Sequence, residues 1–373
     1  MADDAPLPQP DQVEGAPHPR ETTVLFGQDA AERAFLEAWG SGRMHHAWML
    51  TGPQGVGKAT LAWRIARFLL ADDGHAGMFG PPDTLDMAPD TPTFRRALAL
   101  SDPRLVLLRR PWNDKTKKLR TEITVEEVRK LKGFFGMSAA DGGWRVAIVD
   151  AMDEMNGAAA NAFLKLLEEP PEKVALLLVT HQPGRLLPTI RSRCRELRLP
   201  PLGAEPLAAA MTEAGFEARD QAQALAELSG GSAGEAIGML THGGVDLYRD
   251  IIAMLSSMPG ADRRRVVQFA ESMGARGAED RTDLAHRLIR LALHRLARAG
   301  ATGRTPPEAV EGERDVLMRL SPNATAARHW ATVMDQITAR VAHARGVNLD
   351  PAQVMLDTCL QIDATAQTAA PRT

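Results

Sequence analysis

Short, continuous apolar runs alternate with stretches of helical periodicity from Thr23 to about Pro200. Parallel strands that are buried on both faces read as such continuous runs, because neither face alternates with polar residues. The alternation of runs and helices predicts an α/β domain with a parallel sheet and flanking helices. The candidate strands are Ala47–Leu50, Leu105–Leu108, Val146–Val149 and Val174–Val179.

Two of the intervening helices carry start and stop signals. Thr124, followed three residues later by Glu127, predicts a capping box at the start of one helix. Asn156 is a suitable N-cap for a helix over residues 157–169, because its side-chain oxygen can accept a backbone N–H. Pro170 then ends that second helix, since proline cannot continue the hydrogen-bond ladder.

The pattern changes along the chain and predicts four regions. Residues 71–103 are rich in Pro, Asp and Gly and predict a long insertion within the α/β domain. Helical periodicity continues from residue 202 to the end, with a break at Gly230-Gly231-Ser232. We therefore predict a disordered acidic and proline-rich tail over 1–20, an α/β domain over 21–201, a small helical domain over 202–243 and a helical domain over 244–373.

Composition narrows the class of protein. The chain is 44% hydrophobic and 24% charged with a net charge of −3, so no global charge favours nucleic acid. Cys194 and Cys359 are too few for a disulfide scaffold or a cysteine zinc site. We see no signal-peptide pattern and no apolar run of the roughly 20 residues that span a bilayer, so we predict a cytoplasmic protein without membrane contact.

The clearest motif is a phosphate-binding loop, or P-loop. Residues 52–60 read GPQGVGKAT and stand between a candidate strand and a helical pattern, which is the context that a phosphate cradle needs. Gly52, Gly55 and Gly57 allow backbone N–H groups to face a phosphate, and the new helix directs its positive end there. Lys58 would reach the β- and γ-phosphates. Thr60 is the hydroxyl that remains at the start of the helix.

The chemistry that usually accompanies a P-loop is incomplete. Asp150 ends an apolar strand and could orient Mg²⁺ and its waters. The residue after Lys58, where Ser or Thr normally holds Mg²⁺, is Ala59, and the residue after Asp150 is Ala151 rather than a glutamate that polarises water. Glu154 is nearby, either as a replacement base or, with Asp153, as an ordinary loop residue.

Two further segments carry a resemblance to a known family. Residues 166–171 read LLEEPP and residues 189–194 read TIRSRC, and both follow the strand RVAIVD. At this spacing the combination closely resembles the clamp-loader branch of the AAA+ ATPases, strongly over residues 23–200 and more weakly over 201–373. The resemblance implies that the small helical domain is a lid and that the C-terminal domain joins a collar.

Several features set the chain apart from the motor subunits of this branch. Ala59 and Ala151 depart from the motor pattern, and residues 231–236 lack the arginine of the second sensor. Asn348-Leu349-Asp350 and the helix after it resemble the end of a non-motor subunit of the bacterial DNA polymerase III clamp loader. The resemblance therefore implies a largely non-catalytic scaffold.

The resemblance also implies roles for individual residues. Arg193, within Ser-Arg-Cys, would be an arginine finger that acts in trans on ATP bound to a neighbouring motor subunit, whereas an isolated arginine would be an ordinary surface or ion-pair residue. Thr180 matches the first sensor, which feels the γ-phosphate. Residues 24–28 match a segment near the adenine, although core packing explains them equally well.

The same residues indicate which cofactors the chain could bind. Lys58, Thr60 and the glycines are intact, so ATP or ADP with Mg²⁺ could be held without hydrolysis, and this question stays open. Related subunits often carry a four-cysteine zinc module between the P-loop helix and the next strand. Residues 61–145 contain no cysteine, and His45, His46 and His75 are not spaced to replace it, so we expect no zinc.

Partners and alternatives complete the hypothesis. The implied partners are the motor (gamma/tau) and delta subunits, with the sliding clamp and primer-template DNA reached through the complex. The basic stretch over 109–132 is either a solvated face with a hairpin tip or a contact to the DNA backbone. The main alternative is an active motor ATPase. A stand-alone repair or helicase-loading AAA+ protein fits the P-loop but not the other two segments.

Overall fold

The structure is a computed structural model and describes residues 9–13, 15–72, 83–136, 142–275 and 277–369. The described chain divides into two compact units. The first comprises residues 1–216 and 232–234, and the second comprises residues 217–231 and 235–373, with the undescribed residues set aside.

The first unit is built around a parallel sheet. Its strands are β1 Ala47–Thr51, β2 Leu105–Arg109, β3 Trp112–Asn113, β4 Lys118–Leu119, β5 Arg145–Asp150, β6 Val174–Thr180 and β7 Arg195–Arg198. The sheet has the order β2-β5-β6-β1-β7 with parallel pairs throughout, and β3 and β4 form a separate antiparallel hairpin. The four predicted strands are confirmed.

Helices lie on both faces of this sheet. The helices of the first unit are α1 Asp29–Gly40, α2 Lys58–Ala71, α3 Pro92–Leu98, α4 Val125–Gly136, α5 Gly157–Glu168, α6 Pro188–Arg191 and α7 Ala204–Glu213. The interior strand β1 shows why both faces must be covered, because Trp48 packs in the cluster around Trp63 of α2, while Met49 packs in the cluster around Phe163 of α5. The predicted α/β class is confirmed.

Helix starts agree with the sequence signals in part. Asn156 caps α5 as predicted, because its Oδ1 accepts a hydrogen bond from the Ala159 N–H at 3.0 Å. Helix α4 begins at Val125, directly after Thr124, but the predicted capping box does not form. The Thr124 hydroxyl donates to Glu126 at 2.6 Å, and Glu127 instead pairs with Lys130.

Strand β7 and helix α3 are among the elements that the sequence analysis missed. Strand β7 reads Arg-Glu-Leu-Arg, and only Leu197 is buried. This pattern fits a strand at the edge of a sheet and differs from a continuous apolar run. Helix α3 lies within the predicted insertion at 71–103, of which residues 73–82 lie outside the described part. The Thr91 hydroxyl accepts a hydrogen bond from the Phe94 N–H, and Pro92 occupies the first helical position.

The second unit is helical, as predicted. Its helices are α8 Ala222–Ser229, α9 Ala233–Thr241, α10 Gly244–Ser256, α11 Arg263–Met273, α12 Glu279–Thr302, α13 Glu313–Leu320, α14 Ala324–Gly346 and α15 Pro351–Ala369, of which α9 starts in residues assigned to the first unit. A buried charged network lies inside this unit. Glu313 is fully buried and accepts hydrogen bonds from Tyr248 and Arg295, each at 2.6 Å. The predicted domain boundaries at 201 and 243 stay predictions.

Candidate nucleotide site

The P-loop connects β1 to α2 and depends on its three glycines. Gly52, Gly55 and Gly57 have φ values of 145°, 77° and 98°, which residues with side chains rarely adopt. Space is also lacking, because a Cβ on Gly52 would lie 2.2 Å from the Leu199 carbonyl oxygen and one on Gly57 would lie 2.5 Å from Leu25. The glycines therefore serve both backbone conformation and close packing.

Lys58 is the first residue of α2 and is buried, with 3% of its surface exposed. Its ammonium donates to the Gly52 carbonyl at 2.7 Å and to the Pro53 carbonyl. Burial lowers the pKa of Lys58 to about 8, against the opposing charges of Asp150 and Asp153. The lysine side chain thus folds back onto the carbonyls of its own loop, and the charges of Asp150 and Asp153 act on its ammonium group.

Asp150 ends β5 and is buried. The pKa of Asp150 is raised to about 7, mainly by burial and also by the charges of Asp11 and Glu154, while the charges of Lys58 and Arg109 oppose this shift. Ala59 and Ala151 provide no oxygen beside it from their side chains. Thr60 follows Ala59 on α2 and is rotated from it by roughly 100°, because an α-helix has 3.6 residues per turn. Thr60 therefore does not point in the direction of a residue at position 59.

Thr180 ends β6 and lies beside Thr51 of β1. Its role as a first sensor stays a prediction. Its side chain is fully buried, and its hydroxyl oxygen has no hydrogen-bond partner within the described residues. Such an orphaned group is uncommon in a protein interior. It is consistent with a polar ligand at this end of the sheet.

The carboxylates after Asp150 have structural partners. Asp153 accepts backbone hydrogen bonds from His181 at 3.0 Å and from Gln182 at 3.1 Å, which fixes the turn after β6. Glu154 pairs with Arg110 at 2.7 Å. These contacts agree with the interpretation of both acids as loop residues, and Glu154 is not free to act as a base without giving up its arginine.

His181 is the next residue after Thr180 and was not singled out from the sequence. Burial lowers its pKa to about 4, the charge of Lys58 adds to this effect, and Asp153 opposes it. A neutral imidazole therefore lies at the carboxyl end of β6. The signal that could have indicated it is its position directly after the buried strand.

Part of the predicted N-terminal tail lies against this site. Residues 1–8 and 14 lie outside the described residues, but Asp11 and His18 are buried, with 1% and 0% of their side chains exposed. Asp11 contacts Arg109 at 2.5 Å and His18 at 3.0 Å. The structure therefore differs from the prediction of a disordered tail over residues 9–20, because Asp11 is buried beside His18 and Arg109, and the arginine compensates the burial of the acid.

Arg64 and Arg67 of α2 fix the segment that follows. Arg67 donates to the carbonyls of Arg20 at 2.8 Å and of Thr22 at 3.0 Å, and Arg64 donates to the Thr23 carbonyl. Both arginines are buried, and burial lowers the pKa of Arg67 to about 10, to which the charge of Arg64 adds. Sequence reasoning treated this stretch of α2 only as helix.

Residues 24–28, matched to an adenine-proximal segment, hold the P-loop in place. The Gln28 side-chain amide donates to the carbonyls of Val56 at 3.1 Å and of Pro200 at 3.0 Å. Residues 232–234, which lie in the stretch compared with the second sensor, also contact the loop. The Ala233 N–H donates to the Gly55 carbonyl at 2.9 Å, and a Cβ on Gly55 would lie 2.1 Å from the Ser232 hydroxyl oxygen.

Arg193 is not part of this cluster. It follows α6, and its guanidinium contacts Glu168 at the end of α5 at 3.1 Å and the Thr189 carbonyl at 3.0 Å. Its side chain is 37% exposed. Burial raises the pKa of the adjacent Cys194 thiol to about 12, which fits a packing residue rather than a nucleophile.

The basic stretch over 109–132 divides into two groups. Arg109, Arg110 and Lys130 pair with carboxylates of the chain itself, which agrees with a structural interpretation. For the other cations, which are exposed, the choice between a solvated face and a DNA contact stays a prediction. They are Lys115, Lys117, Lys118 and Arg120 on the β3–β4 hairpin and beside it, and Arg129 and Lys132 on α4.

The residues present fit a phosphate better than a metal ion. A glycine cradle, a buried lysine and an orphaned threonine hydroxyl suit phosphate oxygens. For Mg²⁺ the chain offers Asp150 but no hydroxyl at position 59, and the described residues contain no group of three or more His, Cys, Asp and Glu side chains that could hold a metal. Thr60 and Asp150 are the residues that would hold such an ion.

The fold and the site define the class of protein. A P-loop after the interior strand β1, an acid at the end of β5 and a polar residue at the end of β6 are the arrangement of an AAA+ P-loop domain. Proteins of this class generally bind a nucleotide with Mg²⁺.

Comparison with known proteins shows which proteins residues 27–203 resemble. Residues 27–203 match the family described as "DNA polymerase III, delta subunit". Subunit delta' of DNA polymerase III from Pseudomonas aeruginosa is 38% identical over 192 residues, which are 50% of this chain and 53% of the relative. The delta' subunit from Yersinia pestis is 33% identical over 166 residues, 44% of this chain and 45% of the relative. Over residues 27–203 the chain therefore resembles the delta-prime subunits of DNA polymerase III, in agreement with the resemblance seen in the sequence.

Motor subunits match as well, at lower identity. DNA polymerase III subunit gamma from Buchnera aphidicola is 25% identical over 229 residues, 60% of this chain and 58% of the relative. The chain spans about half the length of the curated relatives it matches. Within the described residues, none of the helices combines the length and apolar character needed to cross a bilayer.

Proposed function

We propose that the chain is a delta-prime-type subunit of a DNA polymerase III clamp loader, a largely non-catalytic AAA+ scaffold in the cytoplasm. It assembles with motor and delta subunits, acts on the sliding clamp and primer-template DNA through the complex, and donates Arg193 to ATP held by a neighbouring motor subunit. The observation that carries the proposal is the position of Arg193, partly exposed and held only by Glu168 and the Thr189 carbonyl among the contacts of the described chain.

The guanidinium of Arg193 is chemically suited to act as an arginine finger. When water attacks the γ-phosphorus in the neighbouring site, the bond to the β-γ bridging oxygen breaks and negative charge spreads over the phosphoryl oxygens. A planar guanidinium neutralises that charge through parallel N–H donors, and fingers in other systems contribute about 10³–10⁵ in rate. Arg193 would act by position and charge, without gaining or losing a proton.

The same geometry argues against turnover in the chain's own P-loop. Ala59 and Ala151 replace the metal-binding hydroxyl and the catalytic acid. Glu154, the acid that the motor alternative would need, is paired with Arg110 at 2.7 Å. Loss of a general base alone lowers a rate by about 10²–10⁴. Binding of ATP or ADP with Mg²⁺ at Lys58, Thr60, Asp150 and Thr180 without hydrolysis is compatible with this scaffold role.

The test uses a loader reconstituted from the cognate motor and delta subunits, the clamp and this chain. We expect Arg193→Ala to lower the DNA- and clamp-stimulated ATPase by about tenfold or more, while gel filtration shows intact assembly. Arg191→Ala is the matched control, because Arg191 is an exposed arginine in the same segment. An unchanged rate for Arg193→Ala, together with turnover by this chain alone that Lys58→Ala abolishes, would make the chain a motor instead.

A further inference from the structure

The segment before α1 runs across the P-loop side of the first unit. We call residues 9–13 and 15–22 the N-terminal strap. Two contacts place it at the nucleotide site. Asp11 is held by Arg109, the residue paired with Asp150 between β2 and β5. Val13 lies beside Gly234, because a Cβ on Gly234 would be 2.9 Å from Val13 Cγ2 and 3.9 Å from the Cα of Gly55.

The strap is fixed at several points along its length. His18 is fully buried, its Nε2 lies 3.0 Å from Asp11, and its ring approaches the Trp63 ring of α2 with centroids 6.4 Å apart. The carbonyls of Arg20 and Thr22 accept hydrogen bonds from the buried Arg67. A segment with so many buried polar partners is part of the folded unit, although its composition is that of a tail.

The charge of Asp11 gives the strap a chemical consequence. Its carboxylate occupies Arg109 in the way that a phosphate oxygen would, with an N–O distance of 2.5 Å. It also lies close enough to Asp150 to act on the ionisation of that group. A bound triphosphate would therefore meet the Asp11 carboxylate, while the arginine at the end of β2 is already neutralised. Release of the strap removes the negative charge of Asp11 from this position and frees the Arg109 guanidinium from its ion pair with Asp11.

We propose that the N-terminal strap is an internal gate of the P-loop, in which the Asp11 carboxylate takes the place of a phosphate on Arg109, so that nucleotide binds only when the strap is released. Arg109 then becomes a phosphate-binding residue of the open site. The gate concerns only this chain's own P-loop, so it does not depend on the proposed role of Arg193. Failure of one proposal leaves the other standing.

The test is the equilibrium binding of a fluorescent ATP analogue with Mg²⁺ to the full chain. Asp11→Lys places a cation against Arg109 and should release the strap, so we expect its affinity to exceed that of the native chain by at least about tenfold, and the gain should disappear when Lys58→Ala is added. Asp114→Lys makes the same charge change on the exposed β3–β4 hairpin and should bind like the native chain. Equal affinity for Asp11→Lys and the native chain would overturn the gate.

A reversible lock separates gating from a general change in charge. Val13→Cys and Gly234→Cys place two thiols at the contact between the strap and the second-sensor segment. In the Asp11→Lys background, oxidation should return binding to the native level, and dithiothreitol should restore the gain. Oxidation without effect on affinity would overturn the proposal. Should Asp11→Lys lower the melting temperature, Asp11→Asn, which removes the charge and keeps the shape, must show a smaller gain in the same direction.

Discussion

Arg193 and Glu168 form an ion pair of 3.1 Å that joins the TIRSRC and LLEEPP segments, which are far more informative together than apart. Both side chains are substantially exposed, at 37% and 49%. Exposed ion pairs contribute only about 0–1 kcal/mol. Breaking this ion pair therefore costs little free energy, so Arg193 can leave Glu168 and reach a neighbouring subunit as the proposed finger.

The first prediction concerns Glu168. Because the pair is weak, we expect Glu168→Ala to raise the stimulated ATPase of the reconstituted loader by no more than about fivefold and to change the free energy of unfolding of this chain by less than about 1 kcal/mol. Glu169→Ala, an exposed acid next to it, should change neither quantity. A loss of ATPase as large as that of Arg193→Ala would show that Glu168 supports the finger instead of merely holding it.

The second prediction concerns the turn at Gly52. Gly52→Ala combines a φ of 145° with a Cβ 2.2 Å from the Leu199 carbonyl oxygen, so we expect a loss of about 2–4 kcal/mol in the free energy of unfolding. Gly133→Ala in α4 meets nothing within 4 Å and should stabilise by about 0.5–1 kcal/mol. Urea unfolding curves of the two variants provide the comparison, and similar stability for both would refute the argument.

The sequence predicts well wherever one local pattern decides the structure. Strands such as β6 are buried along their whole length, so their apolar runs needed no tertiary information. The Asn156 cap depends on a residue three positions away. The P-loop is likewise local, since its glycines, strand and helix are contiguous.

The sequence predicts the structure poorly where contacts between residues far apart in the chain determine it. Asp11 and Arg109 lie 98 residues apart, so nothing in the composition of the N-terminal segment indicates that its acid has a cationic partner. The ion pair of Glu154 with Arg110 also joins separate elements, and it redirects an acid that could have been a catalytic base. Strand β7 was missed because its charged residues face solvent at the sheet edge, and only Leu197 is buried.

The third prediction is a pH dependence at Asp150. Burial raises the pKa of this group from 3.8 to about 7, so between these values the folded chain holds a proton that the unfolded chain has lost. The contribution of Asp150 to stability is therefore lost as pH rises through that window. Asp150→Asn mimics the protonated form, and at about pH 8 we expect it to be more stable than the native chain by about 1–4 kcal/mol.

The advantage of Asp150→Asn should shrink as the pH is lowered through about 7 to below 3.8, because Asp150 is then protonated in the folded native chain and finally also in the unfolded chain. Thermal unfolding at a series of pH values measures this difference. Asp114→Asn alters an exposed acid of the same unit and should show no such trend. A constant difference across the pH range would mean that Asp150 is already ionised in the folded chain at low pH.

The fourth prediction concerns the buried network of the helical unit. Arg295 donates to Glu313 through Nε at 2.6 Å and Nη2 at 3.0 Å, and Glu313 also accepts from the Ala309 N–H at 2.8 Å. Burial and the charge of Glu313 raise the pKa of Tyr248 above its ordinary value, so its hydroxyl remains a donor. The carboxylate is therefore fully buried but saturated with donors.

Removing one partner of such a pair leaves an uncompensated charge in the interior, which costs about 3–5 kcal/mol. We therefore expect Arg295→Met to destabilise the chain by that amount in urea unfolding, although methionine fills much of the same volume. Arg298→Met changes an exposed arginine on the same helix and should stay within about 0.5 kcal/mol of the native chain. Similar results for the two variants would mean that Glu313 takes up a proton or reaches water once its arginine is gone.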